Sequence, residues 1–130
     1  MKKVDNTLYR EIEILPSNSM LRVVYSKDRN NIYKYLKNTY NIDQDSKYDN
    51  YDGISTTIES DKEYHHYIFL FEDAPDIIAH EIIHLMYNLS DTAGLEFNKD
   101  SQGWQAYLMG YLVKNMLDFK SYTDITKTLK

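Results

Sequence analysis

The 130-residue chain contains no cysteine. Disulfides, thiolate metal sites and cysteine nucleophiles are thereby excluded. Any transition-metal site must draw on His, Asp, Glu, Asn, Gln or Tyr. The lack of cysteine also fits a reducing compartment. A basic patch is missing too: the formal net charge is -5, and Lys and Arg are scattered, mostly before Lys37 and after Lys114. This argues against a nucleic-acid partner. The longest apolar run, Tyr67 to Phe71, is far too short to span a bilayer, so no membrane association is expected. The polar opening Met1-Lys2-Lys3-Val4-Asp5 does not read as a signal peptide. No internal repeat and no low-complexity linker is visible.

What is present suits a single domain spanning residues 1–130. Hydrophobic residues make up 42% of the chain, enough to favour a packed core over disorder, and 13 tyrosines carry most of the aromatic content. Tyr9 to Leu15 alternates and reads as a strand stopped by Pro16, and Met20 to Tyr25 reads as a second strand. Ser26 or Asp28 can cap a helix from Arg29 to Tyr40, whose Ile32, Tyr33, Leu36 and Tyr40 recur at helical spacing. The polar stretch Asn41 to Asp52 reads as a loop. Gly53 to Ser60 and Glu63 to Phe71 read as a hairpin about the turn Ser60-Asp61-Lys62. Asp73-Ala74-Pro75-Asp76 then opens a helix, with Asp73 as its cap, that runs to about Ser90 and stops at Gly94. Asp100 or Ser101 caps a helix from Gln102 to Leu117, and a short last helix is expected from Thr123. The predicted class is α+β, a small antiparallel or mixed sheet packed on helices.

Chemistry concentrates in His80-Glu81-Ile82-Ile83-His84. Two histidines four apart share one helix face, and both imidazoles can reach a single ion at about 2 Å. Glu81, directly after the first histidine, projects beside such an ion without needing to ligate it. From there it can act as general base toward an attacking water. With four histidines and seven glutamates in the chain, chance alone yields this spacing roughly once in a hundred such compositions. The motif also lies mid-helix, above an apolar face of Ile78, Ile82, Leu85 and Leu89. The expected cofactor is therefore a divalent metal, zinc by preference, held by His80 and His84. The competing reading is a pair of polar residues on a solvated helix face.

A catalytic zinc site needs a third protein ligand and an open position, and here the sequence is less generous. Asp91 lies seven residues after His84, roughly 10 Å further along a regular helix, and fits a supporting or turn role better than ligation. In the next helix Gly103, Ala106 and Gly110 make a small-residue face against which the motif helix can pack closely. Trp104, Leu108, Tyr111 and Leu112 read as core. Gln102 and Gln105 are the carbonyl donors near Gly103, and neutral amides are poor zinc ligands. His65 and His66, adjacent in a strand, point to opposite faces, and an edge-strand surface position is the simpler reading for them. Tyr107 is a candidate oxyanion donor, with core packing as the simpler alternative.

With this motif, Asp91 and Gly94 after it, and the run Ser101 to Leu112 containing Ala106-Tyr107-Leu108 and Gly110-Tyr111-Leu112, the chain resembles the zincin metallopeptidases. The closest likeness is to small phage- and prophage-encoded zincin-like proteins, and it covers about Phe71 to Leu112. The resemblance implies His80 and His84 as metal ligands, Glu81 as general base and a peptide or protein as substrate or partner. It also implies a motif helix that follows an antiparallel edge strand, and a location in the host cytoplasm or on the virion. Members often take a third ligand, Glu, from a later helix, three residues before the Ala of Ala-Tyr-Leu. Gly103 occupies that position here. Two functions follow from the resemblance: a zinc-dependent peptidase, or a weakly active or inactive accessory or structural protein that binds a partner.

Overall fold

The computed structural model describes residues 6–14, 19–44 and 46–129. Five strands, β1 (Leu8–Ile14), β2 (Ser19–Tyr25), β3 (Gly53–Ser60), β4 (Glu63–Leu70) and β5 (Thr123–Asp124), form one sheet in the order β3-β4-β2-β1-β5. Three helices, α1 (Arg29–Tyr40), α2 (Pro75–Ala93) and α3 (Gln102–Leu117), cover it. The β3–β4, β1–β2 and β1–β5 pairs are antiparallel and the β2–β4 pair is parallel, so the sheet is mixed and the fold is α+β. No helix among the described residues is long and apolar enough to cross a membrane.

Strand periodicity divides the core into two layers. Successive side chains alternate across the sheet, so Val23, Ile68 and Leu70 join α2 and α3 on one face, while Val24, Tyr67 and Phe69 join α1 on the other. Helix α2 contributes Ile78, Ile82, Leu85 and Leu89 to the first layer, all fully buried, as their spacing predicts. Helix α1 starts at the Asp28 cap, whose carboxylate accepts from the Asn30 N–H at 3.0 Å, and stops where Asn41 turns into the left-handed region.

Several expectations are corrected. The cap of α2 is Ala74, with no side-chain bond, rather than Asp73; Pro75 opens the helix with a preset φ and one fewer unpaired N–H in the first turn. The helix runs on to Ala93, where Gly94 stops it at φ 69°. Thr123–Asp124 pairs with β1 as an edge strand, and only Thr126–Thr128 is helical, as a single 3-10 turn. The β1 boundary expected at Leu15 and Pro16 lies outside the described residues. The strand before the motif helix, β4, is interior, and its antiparallel neighbour β3 forms the sheet edge. The small-residue face of α3 points outward: Gly103, Ala106 and Gly110 are exposed, and a Cβ added at either glycine would meet nothing within 4 Å. Helix α3 turns Leu108, Leu112 and Met116 inward instead, because those side chains remove far more apolar area from water.

Candidate metal centre and active site

Helix α2 lies across the β3 end of the sheet, and its two sides differ. The side facing the sheet is apolar except at Glu81, while His80, Ile83, His84 and Tyr87 face solvent. His80 and His84 turn toward each other across one helical turn. Their rings sit 4.9 Å apart at 68°, with the two Nε2 atoms 3.2 Å apart. Two nitrogens bound at about 2 Å to one tetrahedral ion are ~3.3 Å apart, so the pair already stands at the separation of two shared ligands. Without an ion, the same distance is one ring N–H donating to the other ring nitrogen.

Glu81 behaves differently. Its side chain is 6% exposed, against 67% for His80. Its carboxylate accepts the Ser55 backbone N–H. Burial pushes its pKa up; the two neighbouring imidazoles and that N–H oppose the shift. Its Oε2 is 4.0 Å from His80 Nε2. This exceeds the ~3.3 Å edge of a shared tetrahedron, so the carboxylate stands beside the histidine pair rather than within it.

The sheet edge explains why Ser55 can serve Glu81. The Phe71 N–H donates to Asp52 O at 3.0 Å, and the register continues through Gly53–Leu70 to Ser60–Glu63. Hydrogen-bonded pairs therefore recur at Ile54–Phe69 and Thr56–Tyr67, and Gly53, Ser55 and Thr57 direct their N–H and C=O groups away from β4. Gly53 permits the close approach of α2. A Cβ there would stand 3.0 Å from Glu81 Cγ and 3.0 Å from Ile77 Cγ2. Ser55 Oγ is itself buried with no hydrogen-bond partner among the described residues.

Two depressions flank the motif. One of about 360 Å³ is bordered by Tyr51, Ile54 and Ser55 together with His80, Glu81 and His84. The other, of about 330 Å³, lies toward the start of α2 and is bordered by Asn50, Tyr51, Asp52, Asp76 and Ile77 with His80 and Glu81. Tyr51, Gly53, His80 and Glu81 border both, which makes them one groove along the β3 edge.

The remaining sequence candidates lie elsewhere. His66 is buried, contrary to its surface reading, because β4 is interior: Thr57 Oγ1 lies 2.9 Å from its Nδ1 and Thr92 Oγ1 3.4 Å from its Nε2. His65 packs on Tyr40 across the sheet, with ring centroids 5.7 Å apart. Tyr107 is neither core nor beside the histidines; it is exposed and stacked on Tyr111. Gln105 Nε2 donates to Asn98 O and Ser101 Oγ at the start of α3. Asp91 is exposed on α2, two turns beyond His84. Among the described residues no group of three or more His, Asp or Glu side chains converges on one ion. Sequence reasoning missed Tyr51, Gly53, Ser55, Asp52 and Asp76 as neighbours of the motif. A glycine opening a strand directly after an Asn-Tyr-Asp turn was the available signal for the first two. No family model, curated protein or solved structure matches the chain.

Proposed function

We propose that the chain is a zinc-dependent, peptidase-like hydrolase in which His80 and His84 hold the metal and Glu81 moves the proton. The observation that carries this reading is the Nε2 pair 3.2 Å apart on an exposed helix turn, beside a carboxylate braced by a sheet-edge N–H. Two donors that face each other with nothing between them and solvent fit an ion whose other positions stay open to water and substrate. When bound, zinc supplies Lewis acidity, polarising a carbonyl oxygen and easing the ionisation of water.

The chain's own residues do the rest. Glu81 accepts the proton of the attacking water at its carboxylate and passes it to the departing amine. Its hydrogen bond to the Ser55 N–H fixes the carboxylate in position. The outward N–H and C=O groups of Gly53 and Thr57 can pair with an extended peptide added at the β3 edge, which would lay its backbone along the groove. Tyr51, bordering both depressions, offers a hydroxyl donor to the oxyanion that develops on the attacked carbonyl.

A second reading has its own support. Position 103 carries Gly rather than Glu, and no third His, Asp or Glu joins the pair among the described residues. A weakly active or inactive zincin-like accessory protein of the phage kind, binding a partner protein, is consistent with that. Glu81 favours the first reading, because a structural metal has no use for a buried base. Metal analysis with peptide cleavage separates the two. The enzyme reading expects about one equivalent of zinc, lost in His80→Ala, and cleavage abolished in Glu81→Gln with zinc retained. Zinc bound without cleavage of any denatured protein selects the accessory reading. A purified chain that binds no divalent metal overturns the enzyme reading.

A further inference from the structure

The depression toward the start of α2 has a chemical asymmetry that the hydrolytic reading leaves unused. It is bordered by Tyr51 and Ile77 and by the two aspartates Asp52 and Asp76. Both aspartates are exposed, and neither has an ion pair or a side-chain hydrogen bond among the described residues. Among the described residues no Lys or Arg borders the cleft. The first turn of α2 contributes a partial positive charge of about half a unit, too little to balance two carboxylates with the Glu81 carboxylate behind them.

Two solvent-exposed carboxylates would leave most of the six or more oxygen positions of a hard cation to water, a weak hold without further ligands. A cleft that sets an aromatic and an aliphatic residue beside two carboxylates matches instead a long basic side chain. Its methylenes can lie against the apolar residues while its head reaches the carboxylates, with an aromatic face adding cation–π attraction. Asp76 precedes His80 by one helical turn, about 6 Å. That is within reach of a Lys or Arg whose own peptide bond lies over the histidine pair.

We propose that this cleft, bounded by Asp52, Asp76, Tyr51 and Ile77, is a specificity subsite for a lysine or arginine side chain of the peptide next to the scissile bond. The subsite rests on the peptidase reading for its position in the reaction, but its ligand chemistry can be tested without it.

The first arm uses the full chain carrying Glu81→Gln, loaded with zinc, and N-acetylated fluorescent peptides identical except for one residue: arginine, its neutral isostere citrulline, or alanine. The arginine peptide is expected to bind at least about fivefold tighter than the citrulline peptide, the scale of one or two charge-assisted hydrogen bonds. In Asp52→Asn/Asp76→Asn that ratio falls to about one, while zinc content and melting temperature hold. Equal binding of arginine and citrulline peptides, or a preference that survives the double substitution, overturns the subsite. Tighter binding only by peptides with a free N-terminus identifies the occupant as an α-ammonium and also overturns it.

The second arm titrates the metal-free wild-type chain with N-acetyl-arginine methylamide and follows backbone amide shifts. Shifts at Asp52, Gly53, Asp76 and Ile77 that the citrulline analogue does not produce support the subsite even where zinc binding and cleavage fail. Their absence rejects it even where cleavage succeeds.

Discussion

One helix, α2, meets histidines up to its midpoint and again near its C-terminus, and the two regions, its exposed and its buried end, are built in opposite ways. In its first half, His80 and His84 face solvent and, among the described residues, have only each other as ring partners, and Glu81 is pulled under them by the Ser55 N–H. Toward its end, His66 reaches up from β4 into a buried position between Thr57 and Thr92. Thr92 Oγ1 donates to Asn88 O at 2.8 Å, so it must accept from His66 Nε2–H, which leaves Nδ1 to accept the Thr57 hydroxyl proton. Each ring nitrogen faces a hydroxyl, Nδ1 closely and Nε2 at the outer limit of hydrogen-bonding distance. A buried histidine held in this way contributes to stability. A pair whose nitrogens converge at the surface is available for a ligand. The two ends should therefore respond oppositely to the same change.

The largest expected effect is at the exposed end. His84→Ala removes one of two metal donors and should weaken zinc binding by more than the roughly 100-fold that loss of a mere supporting partner can cost. Its melting temperature without metal should stay within about 2 °C of wild type, since the side chain is exposed. Metal competition with a chromophoric chelator and a thermal melt read both quantities. His66→Ala should do the reverse. It empties a buried space and strands the Thr57 hydroxyl, costing about 2–3 kcal/mol in denaturant unfolding while zinc affinity holds. A loss of zinc in His66→Ala, or unfolding in His84→Ala, would erase the distinction between the two ends.

How much of this was legible beforehand follows from the range of the interactions. The helix, its buried stripe and the three motif residues rest on contacts within five to ten residues of one another, and periodicity reports those directly. The burial of His66 depends on strand order: the continuous apolar run Tyr67 to Phe71 suits a strand covered on both faces, but the polar half from Glu63 to His66 carries no such signal. Nothing local says that β4 pairs with β2 as well as β3. The outward turn of Gly103, Ala106 and Gly110 was hidden for a related reason: α3 carries apolar residues around most of its circumference, and periodicity could not choose between the small face and the Leu108–Leu112–Met116 face. The neighbours of Glu81, more than twenty residues earlier in the chain, come from the same long-range pairing that brings β3 beneath α2.

A smaller effect sharpens the comparison from the other side of the helix. Gly53→Ala sets a methyl group 3.0 Å from Glu81 Cγ and 3.2 Å from its Oε2. The side chain must yield by a few tenths of an ångström, or the edge of β3 must. Misplacement of a catalytic group by 1 Å costs up to about 100-fold in rate, so this smaller shift is expected to lower kcat by about tenfold and leave zinc stoichiometry unchanged. An alanine that cleaves as well as glycine would show that the close packing at Gly53 does not position the carboxylate.

Acid should separate the ends as well. Burial holds the His66 pKa below its usual value, with Arg22 and His65 pushing the same way and Glu63 bordering the same depression. The folded state thus prefers the neutral ring. In the unfolded chain the ring takes up a proton near pH 6.5, so stability is full above that pH and is lost as pH falls toward the lower folded-state pKa. His66→Gln should flatten the difference in unfolding free energy over that window, measured by urea titration at several pH values. A slope that remains after the substitution would assign the acid sensitivity to other groups.

The smallest difference lies within the buried end. Thr57→Val removes the donor at 2.9 Å and leaves Nδ1 facing an apolar methyl group, a loss of about 1 kcal/mol. Thr92→Val removes a contact of 3.4 Å, already too long to contribute much, at the wall of a depression that also holds Ser19, Arg22 and Glu63. Water can reach Nε2–H there, so the expected cost is only about half as large. Urea unfolding of the two variants ranks them. If Thr92→Val proves the costlier, the ring is held chiefly through α2 rather than through the sheet. His66 would then act as the clamp that fixes the far end of the motif helix, and its substitution should disturb the spacing of His80 and His84, so that the two ends of α2 would no longer be independent.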